Sequence, residues 1–470
     1  MKKFFLISSI LLFIGCSSNL EDLNVDKKNA TSAPGDAFFN LALKNMSDLL
    51  SGITYGATVN PWNGSRLLVQ QISSVTYNEG TTYFLNFNWD GVYQNVLINL
   101  QQSEKVIAAS KTSSEPASIN KLAIVEIMTV YTYSRLVEAF GDIPYSEALD
   151  VNNITPKYDD AETVYLDLLS RLDAAIDNLD ESQSSWDQDI MYSGDVGSWK
   201  KFGKSLQLQM GMRIVDSNPQ LASETIADAV SGVFTSNDDN AIIVHLSAPP
   251  NTAELWTDLA VGNRKDYVGA EPFINLLNEL DDPRRTVYFQ DVNGEYVGSP
   301  SGLVVNYNDF SKFGEIFYQP TTPVIFLDYA SVEFFLAEAA ERNIASVTDP
   351  EEHYNAAITA SFEYYGVEDG IAEYLAQPEV AYTTAEGPWK QKIAVQKWLA
   401  LFNQSPEAYT EWRRLDYPIL LAPPDSFIDT VPVRFRYPIS EQTLNSENYE
   451  NAATAIGGDL LTTKLFWDVY

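Results

Sequence analysis

"TVYLDLLSRLDAAIDNL", residues 163–179, sets Tyr165, Leu168, Leu169, Leu172, Ala175, Ile176 and Leu179 at steps of three and four. That spacing gathers the apolar side chains on one face of a 3.6-residue helix and leaves the acids on the other. The rhythm returns in Val332, Phe335, Leu336 and Ala339, and in Val395, Trp398, Leu399 and Phe402. Further helices are expected near 87–110, 119–140, 198–216 and 351–365, and short strands near 241–246, 286–289 and 295–297. Breaks at 110–118 and 140–160 separate consecutive helices. The expected fold class is therefore mostly α, built from stacked helical pairs resembling tetratricopeptide units. Between 233 and 325 the chain turns rich in Pro, Gly, Asn, Asp and aromatics, a loop-rich segment of the kind that carries binding residues. Nothing inside 36–470 reads as a linker, so a single domain is expected there.

The chain opens on MKKFFLISSILLFIG, two lysines followed by a twelve-residue apolar run from Phe4 to Gly15. This layout is that of a secretory signal, and it falls short of the ~20 apolar residues needed to span a bilayer. With Cys16 it resembles a lipoprotein signal peptide whose lipobox is Leu12-Phe13-Ile14-Gly15-Cys16, although Phe13 and Ile14 are bulkier than usual. Residues 1–15 are expected to be removed, Cys16 to carry lipid, and residues 16–35 to form a tether. At about 0.8 kcal/mol per buried methylene, several acyl chains hold a protein at a membrane for its lifetime. Cys16 is the only cysteine, so no disulfide within the chain supports the fold.

Thirty Lys and Arg stand against 64 Asp and Glu, a net charge of −34; loss of residues 1–15 removes two lysines and no acid, leaving −36. Phosphate backbones are poor partners for such a surface. The 26 Tyr, 23 Phe and nine Trp exceed what solubility needs; most must be core, and the remainder can line a site.

Catalytic patterns fail on inspection. His245 and His353 stand alone, which rules out a paired-histidine zinc motif. Gly197 to Ser205 looks like a phosphate loop, but five residues separate its glycines and Trp199 and Phe202 crowd the turn, so a packing role is expected. DVNGE at Asp291 lacks the distant glutamate of a calcium loop and reads as a β-turn. A hydrolase built on two carboxylates stays open as an alternative, since 64 acids offer many pairs.

Seven segments in order carry a resemblance: LEDLNVDKKNAT (20–31), VEAFGDIPYSEAL (137–149), GDVGSWKKFGKSLQLQMGMRI (194–214), NELDDPRR (278–285), VIFLDYASVEFFLAEAAERN (324–343), QKWLALFNQSPEAYTEWRRLDYP (396–418) and VRFRYPISEQTLNSENYENA (433–452). Together they are similar to the SusD/RagB outer-membrane nutrient-binding lipoproteins. The resemblance implies a SusD-like helical fold, lipid-anchored on the outer face of the outer membrane of a Bacteroidetes-type bacterium. It implies a SusC-like TonB-dependent transporter as partner, a glycan or sometimes a peptide as ligand, and binding without catalysis or cofactor. Within these segments Asp142 is expected to bond backbone amides, and Glu411 to pair with Arg413 and Arg414.

A sugar offers apolar C–H faces and a rim of hydroxyls, so its site wants exposed rings beside amides and carboxylates. Rings in loop-like settings are the expected glycan contacts: Trp62 with Asn63 beside it, Tyr83, Trp256, Tyr307 and Trp389. Trp89, Trp199, Trp398, Trp412 and Trp467 lie in helical or framework segments and are expected in the core.

Overall fold

A computed structural model describes residues 33–55, 58–59 and 61–470, with the side chains of residues 54–63 set aside. The expected signal peptide, Cys16 and nearly all of the tether lie outside the described residues. Helices of eight residues or more are α1 (Gly35–Ser51), α2 (Pro61–Leu68), α3 (Ile98–Ala108), α4 (Pro116–Phe140), α5 (Ala161–Asp177), α6 (Val196–Arg213) and α7 (Pro219–Ala229). They continue as α8 (Glu271–Glu279), α9 (Tyr329–Glu341), α10 (Pro350–Tyr365), α11 (Trp389–Ala400), α12 (Ser405–Leu415) and α13 (Ser446–Ala455). Their starts are written in the sequence. Proline opens α4, α7 and α10, where its missing N–H costs nothing. Asp160, Asp195, Asn218 and Asp328 cap α5, α6, α7 and α9 by accepting a backbone N–H three residues on.

Consecutive helices pack as pairs: α4 on α5, α6 on α7, α9 on α10 and α11 on α12. Neighbouring pairs touch through α5 and α6, α6 and α9, and α9 and α11. The α5–α6 contact depends on Gly203, whose missing side chain lets α6 approach Ile176; a Cβ there would sit 2.8 Å from the Ile176 Cγ1. The glycine-rich stretch is thus a packing surface. α1 lies across this array against α3 and the strand Val324–Leu327.

The inner helices share a chain of buried ion pairs. Arg135 of α4 bonds Glu407 at 2.6 Å; Arg213 of α6 bonds Glu138, Glu407 and Glu411; Lys397 of α11 bonds Glu411 at 2.7 Å. Arg414 then joins Glu411 to Glu338 of α9. Glu411 therefore pairs with Arg414 as expected. Arg413 turns instead to the carbonyls of Tyr409 and Val433 and stacks over Trp467. Asp142 accepts the Ala161 N–H at the start of α5.

Strands are short two-stranded ladders. Ala241–Ile243 pairs antiparallel with Val324–Leu327, and Ile72–Ser74 with Tyr267–Gly269. Both ladders tie the loop-rich segment to the helices. The expected strand at 286–289 is corrected: Arg285–Tyr288 is a helical turn, because Asp282 accepts the Arg284 N–H and Pro283 starts the turn. At 295–297 only an isolated bridge forms, Val292 to Glu295. It closes a turn with Asn293 and Gly294 at positive φ, and Asp291 accepts the Gly294 N–H. DVNGE is a hairpin turn.

Candidate functional site

Residues 84–89, FLNFNW, lead without regular secondary structure from the turn at Tyr83 into the first helical turn. Tyr83, Phe87 and Trp89 point inward and are buried, whereas Phe84 is 56% exposed and Asn86 is exposed. Phe87 stacks on Phe435 at 3.8 Å, and Trp89 meets Phe140, Tyr158 and Tyr437. A buried aromatic cluster thus forms a floor, and the outward residues line what lies above it.

Two clefts open on this floor and share Asp90. The first, about 630 Å³, is lined by Tyr77, Glu79, Phe84, Asn86, Asn88 and Arg264 among others, over Phe87 and Tyr267. The Ile72–Ser74 ladder with Tyr267–Gly269 holds its two walls in register. Phe84 packs against Phe427 with ring centroids 5.0 Å apart, and Tyr77 is 60% exposed. Arg264 is braced by Asp266 at 2.8 Å. The second cleft, about 510 Å³, is lined by Trp89, Tyr93, Gln94, Asn153, Ile154 and Glu441 among others. Its phenols are neutral donors: Tyr93 donates to the Pro144 carbonyl at 2.6 Å and Tyr158, beneath, to Glu441 at 2.8 Å. Burial, then the neighbouring Glu441 charge, holds Tyr158 above its ordinary pKa. Between the clefts Asp90 is oriented by Asn88, whose Nδ2 donates to it at 3.0 Å.

The expected ring contacts fare differently. Tyr83 is corrected: it is 2% exposed, at a left-handed φ of 69° that turns its ring into the core and delivers Phe84 to the surface. Trp62 and Asn63 begin a helix, not a loop, since Pro61 suits a first helical position and α2 docks on α12; their side chains lie outside the described residues. Trp256 ends a short helix, half-buried, and Tyr307 sits half-buried in a 3₁₀ turn with the Lys312 ammonium 5.2 Å from its ring. Trp389 opens α11, packed on the core beneath Arg342. None of Tyr83, Trp256, Tyr307 and Trp389 lines either cleft. The ring expected in this segment, Tyr83, is buried, and its neighbour Phe84 lines the first cleft. The signal that separates the buried rings Tyr83, Phe87 and Trp89 from exposed Phe84 and Asn86 is the interleaving of rings and polar residues in this segment. Of the tryptophans expected inside, Trp89, Trp199, Trp398 and Trp467 are buried and Trp412 is half-buried.

His245 is buried, bonded to the Thr322 carbonyl at 2.9 Å and to Ser47 at 3.1 Å, and His353 pairs with Glu333. Among the described residues no group of three or more His, Cys, Asp or Glu side chains is arranged to hold a metal, and no helix is long and apolar enough to cross a membrane.

Stacked helical pairs bearing loop-built clefts define a helical-repeat scaffold. Residues 29–438 match the family described as SusD-like, starch-binding associating with outer membrane, and the chain belongs to that family. Solved structures agree along nearly the whole length. A chitin-binding protein superposes with a TM-score of 0.77 at 28% identity, covering 93% of this chain and 100% of its own. A chitin-binding SusD homologue from Flavobacterium johnsoniae gives 0.78 at 27%, covering 91% and 98%. A SusD homologue from Bacteroides uniformis gives 0.77 at 25%, covering 93% and 99%. A comparison with curated proteins returned no match.

Proposed function

We propose that this protein captures glycan chains at the cell surface, held in the outer membrane by lipid on Cys16, and passes them unchanged to a SusC-like TonB-dependent transporter. The observation that carries the reading is the exposed Phe84 ring lining the larger cleft, backed by its contact with exposed Phe427, with Asn86 and Glu79 lining the same cleft. Flat rings take the C–H face of a sugar, and amide and carboxylate groups take its hydroxyls. Two relatives above 25% identity are described as chitin-binding, so an N-acetylated β-linked glycan is the first ligand to test. Trp62, Asn63, Trp256, Tyr307 and Trp389 rank behind the cleft rings as possible contacts.

Affinity electrophoresis of the chain from residue 33 onward, in gels carrying glycol chitin, starch or no polysaccharide, tests the reading. Retardation without released sugar supports it; released sugar overturns the non-catalytic part, and binding of oligopeptides alone overturns the glycan part. Anchoring has its own test: Cys16→Ala is expected to move the protein from the membrane fraction to the soluble one.

A further inference from the structure

We infer that the second cleft is a binding subsite for the same chain, so that both clefts form one groove crossing Asp90 and the natural ligand is a linear oligosaccharide long enough to fill both. The inference rests on the glycan reading above and extends it to ligand length. Each cleft alone falls in the range of about 300–1,000 Å³ that accommodates one small molecule. Side by side, at about 510 and 630 Å³, they exceed what a mono- or disaccharide fills. They are continuous in construction. Asp90 lines both, and the segment Pro438, Ile439 and Ser440 on one side leads directly to Glu441 on the other. One aromatic cluster floors both, through Phe87 in the first and Trp89 in the second.

The second cleft is also shaped for contact. Its wall is the π-helical turn Val92–Leu97, which widens the start of α3 and sets Tyr93 and Gln94 at the opening; such turns recur at functional sites. Leu149, another lining residue, is held at φ 63°, a strained conformation for a branched side chain. Gln94 is exposed, with its amide unclaimed by another side chain among the described residues, and Ile154 is 87% exposed at the rim. An amide and an apolar side chain beside two carboxylates, Asp90 and Glu441, repeat the mixture found around Phe84.

Isothermal titration of chito-oligosaccharides into three proteins tests the groove: the unaltered chain, Phe84→Ala, and the double variant Gln94→Ala/Ile154→Ala. Both cleft-two positions are exposed, so the double variant is expected to melt with the parent. The hexasaccharide is expected to bind the unaltered chain about tenfold tighter than the disaccharide. The double variant should lose most of that advantage while its disaccharide affinity stays within about twofold, whereas Phe84→Ala weakens both ligands. Equal affinity for the two lengths, or a double variant that keeps the advantage, overturns the groove and leaves capture at the first cleft standing. No binding of any glycan to the unaltered chain overturns the glycan reading and the groove together.

Discussion

At the scale of single residues, Tyr83 and Phe84 are neighbours in opposite settings. Tyr83 occupies the core at 2% exposure and Phe84 stands 56% exposed at the cleft. Truncating the buried ring removes its packing and leaves a cavity, so Tyr83→Ala is expected to cost about 3–5 kcal/mol. Phe84→Ala should leave the melting temperature nearly unchanged and weaken glycan retention. Thermal melts alongside affinity gels distinguish the two, and a large melting drop for Phe84→Ala would move that ring to the core. His245 makes a second residue-scale prediction. Burial lowers its pKa from 6.5 to about 4, so between these values the unfolded chain binds a proton that the folded chain does not. Its contribution to stability is full above about pH 6.5 and is lost as pH falls toward 4, by about 3 kcal/mol in all. Urea titrations across this window should show His245→Asn with a flatter pH dependence than the unaltered chain. Glu254 acts in the opposite sense, since burial raises its pKa from 4.5 to about 7, which is why the variant comparison and not the raw profile isolates His245.

Among elements, the pairs α4–α5, α6–α7, α9–α10 and α11–α12 are joined by charge as well as by apolar contact. Glu411 sits where Arg213, Lys397 and Arg414 converge, all nearly inaccessible to water. Removing one carboxylate strands buried cations, so Glu411→Gln is expected to cost about 3–5 kcal/mol. The paired cations hold Glu338, Glu407 and Glu411 below the usual carboxylate range against the opposing effect of burial. Their stabilisation is full above about pH 4.5 and disappears as pH falls through the depressed values, a loss that denaturant titrations below pH 4.5 should show weakened in Glu411→Gln. The helix pairs were legible because one buried face repeats every three to four residues, as in Tyr165, Leu168 and Leu172. The ion-pair chain was not, because its members come from helices far apart in sequence and each, read locally, looks like a solvated face charge. Pro61 to Gly64 read as a loop from composition, and packing on α12 made it helix. Thr286 to Phe289 read as strand from its β-branched and aromatic residues, and the Asp282–Arg284 turn made it helical. Those two misreadings share a cause: in short segments tertiary contacts outweigh local propensity.

Over the whole molecule, residues 459–470 brace the segment that borders both clefts. Val433 donates to the Leu461 carbonyl at 2.8 Å, Phe435 to Ala139 at 2.9 Å, and Arg434 pairs with Asp459 at 3.0 Å while bonding the Phe140 carbonyl. Leu465 packs under Gly141, and Trp467, 1% exposed, lies beneath Arg413. Asp459 also accepts the Tyr437 N–H, just before the Pro438 to Glu441 segment that borders both clefts. Ending the chain after Gly458 would strip the buried Arg434 of its counter-charge and expose the apolar bed of Trp467 at once. Each of these losses carries a cost of about 3–5 kcal/mol, and together they approach the 5–15 kcal/mol that holds a typical domain folded. The truncated chain is therefore expected to lose cooperative melting by circular dichroism. Trp467→Ala, which keeps Asp459, is expected to melt lower yet still cooperatively and to retain glycan. A truncation that melts like the full chain would show that residues 459–470 only rest on the surface and that the Pro438 to Glu441 segment holds its place without them.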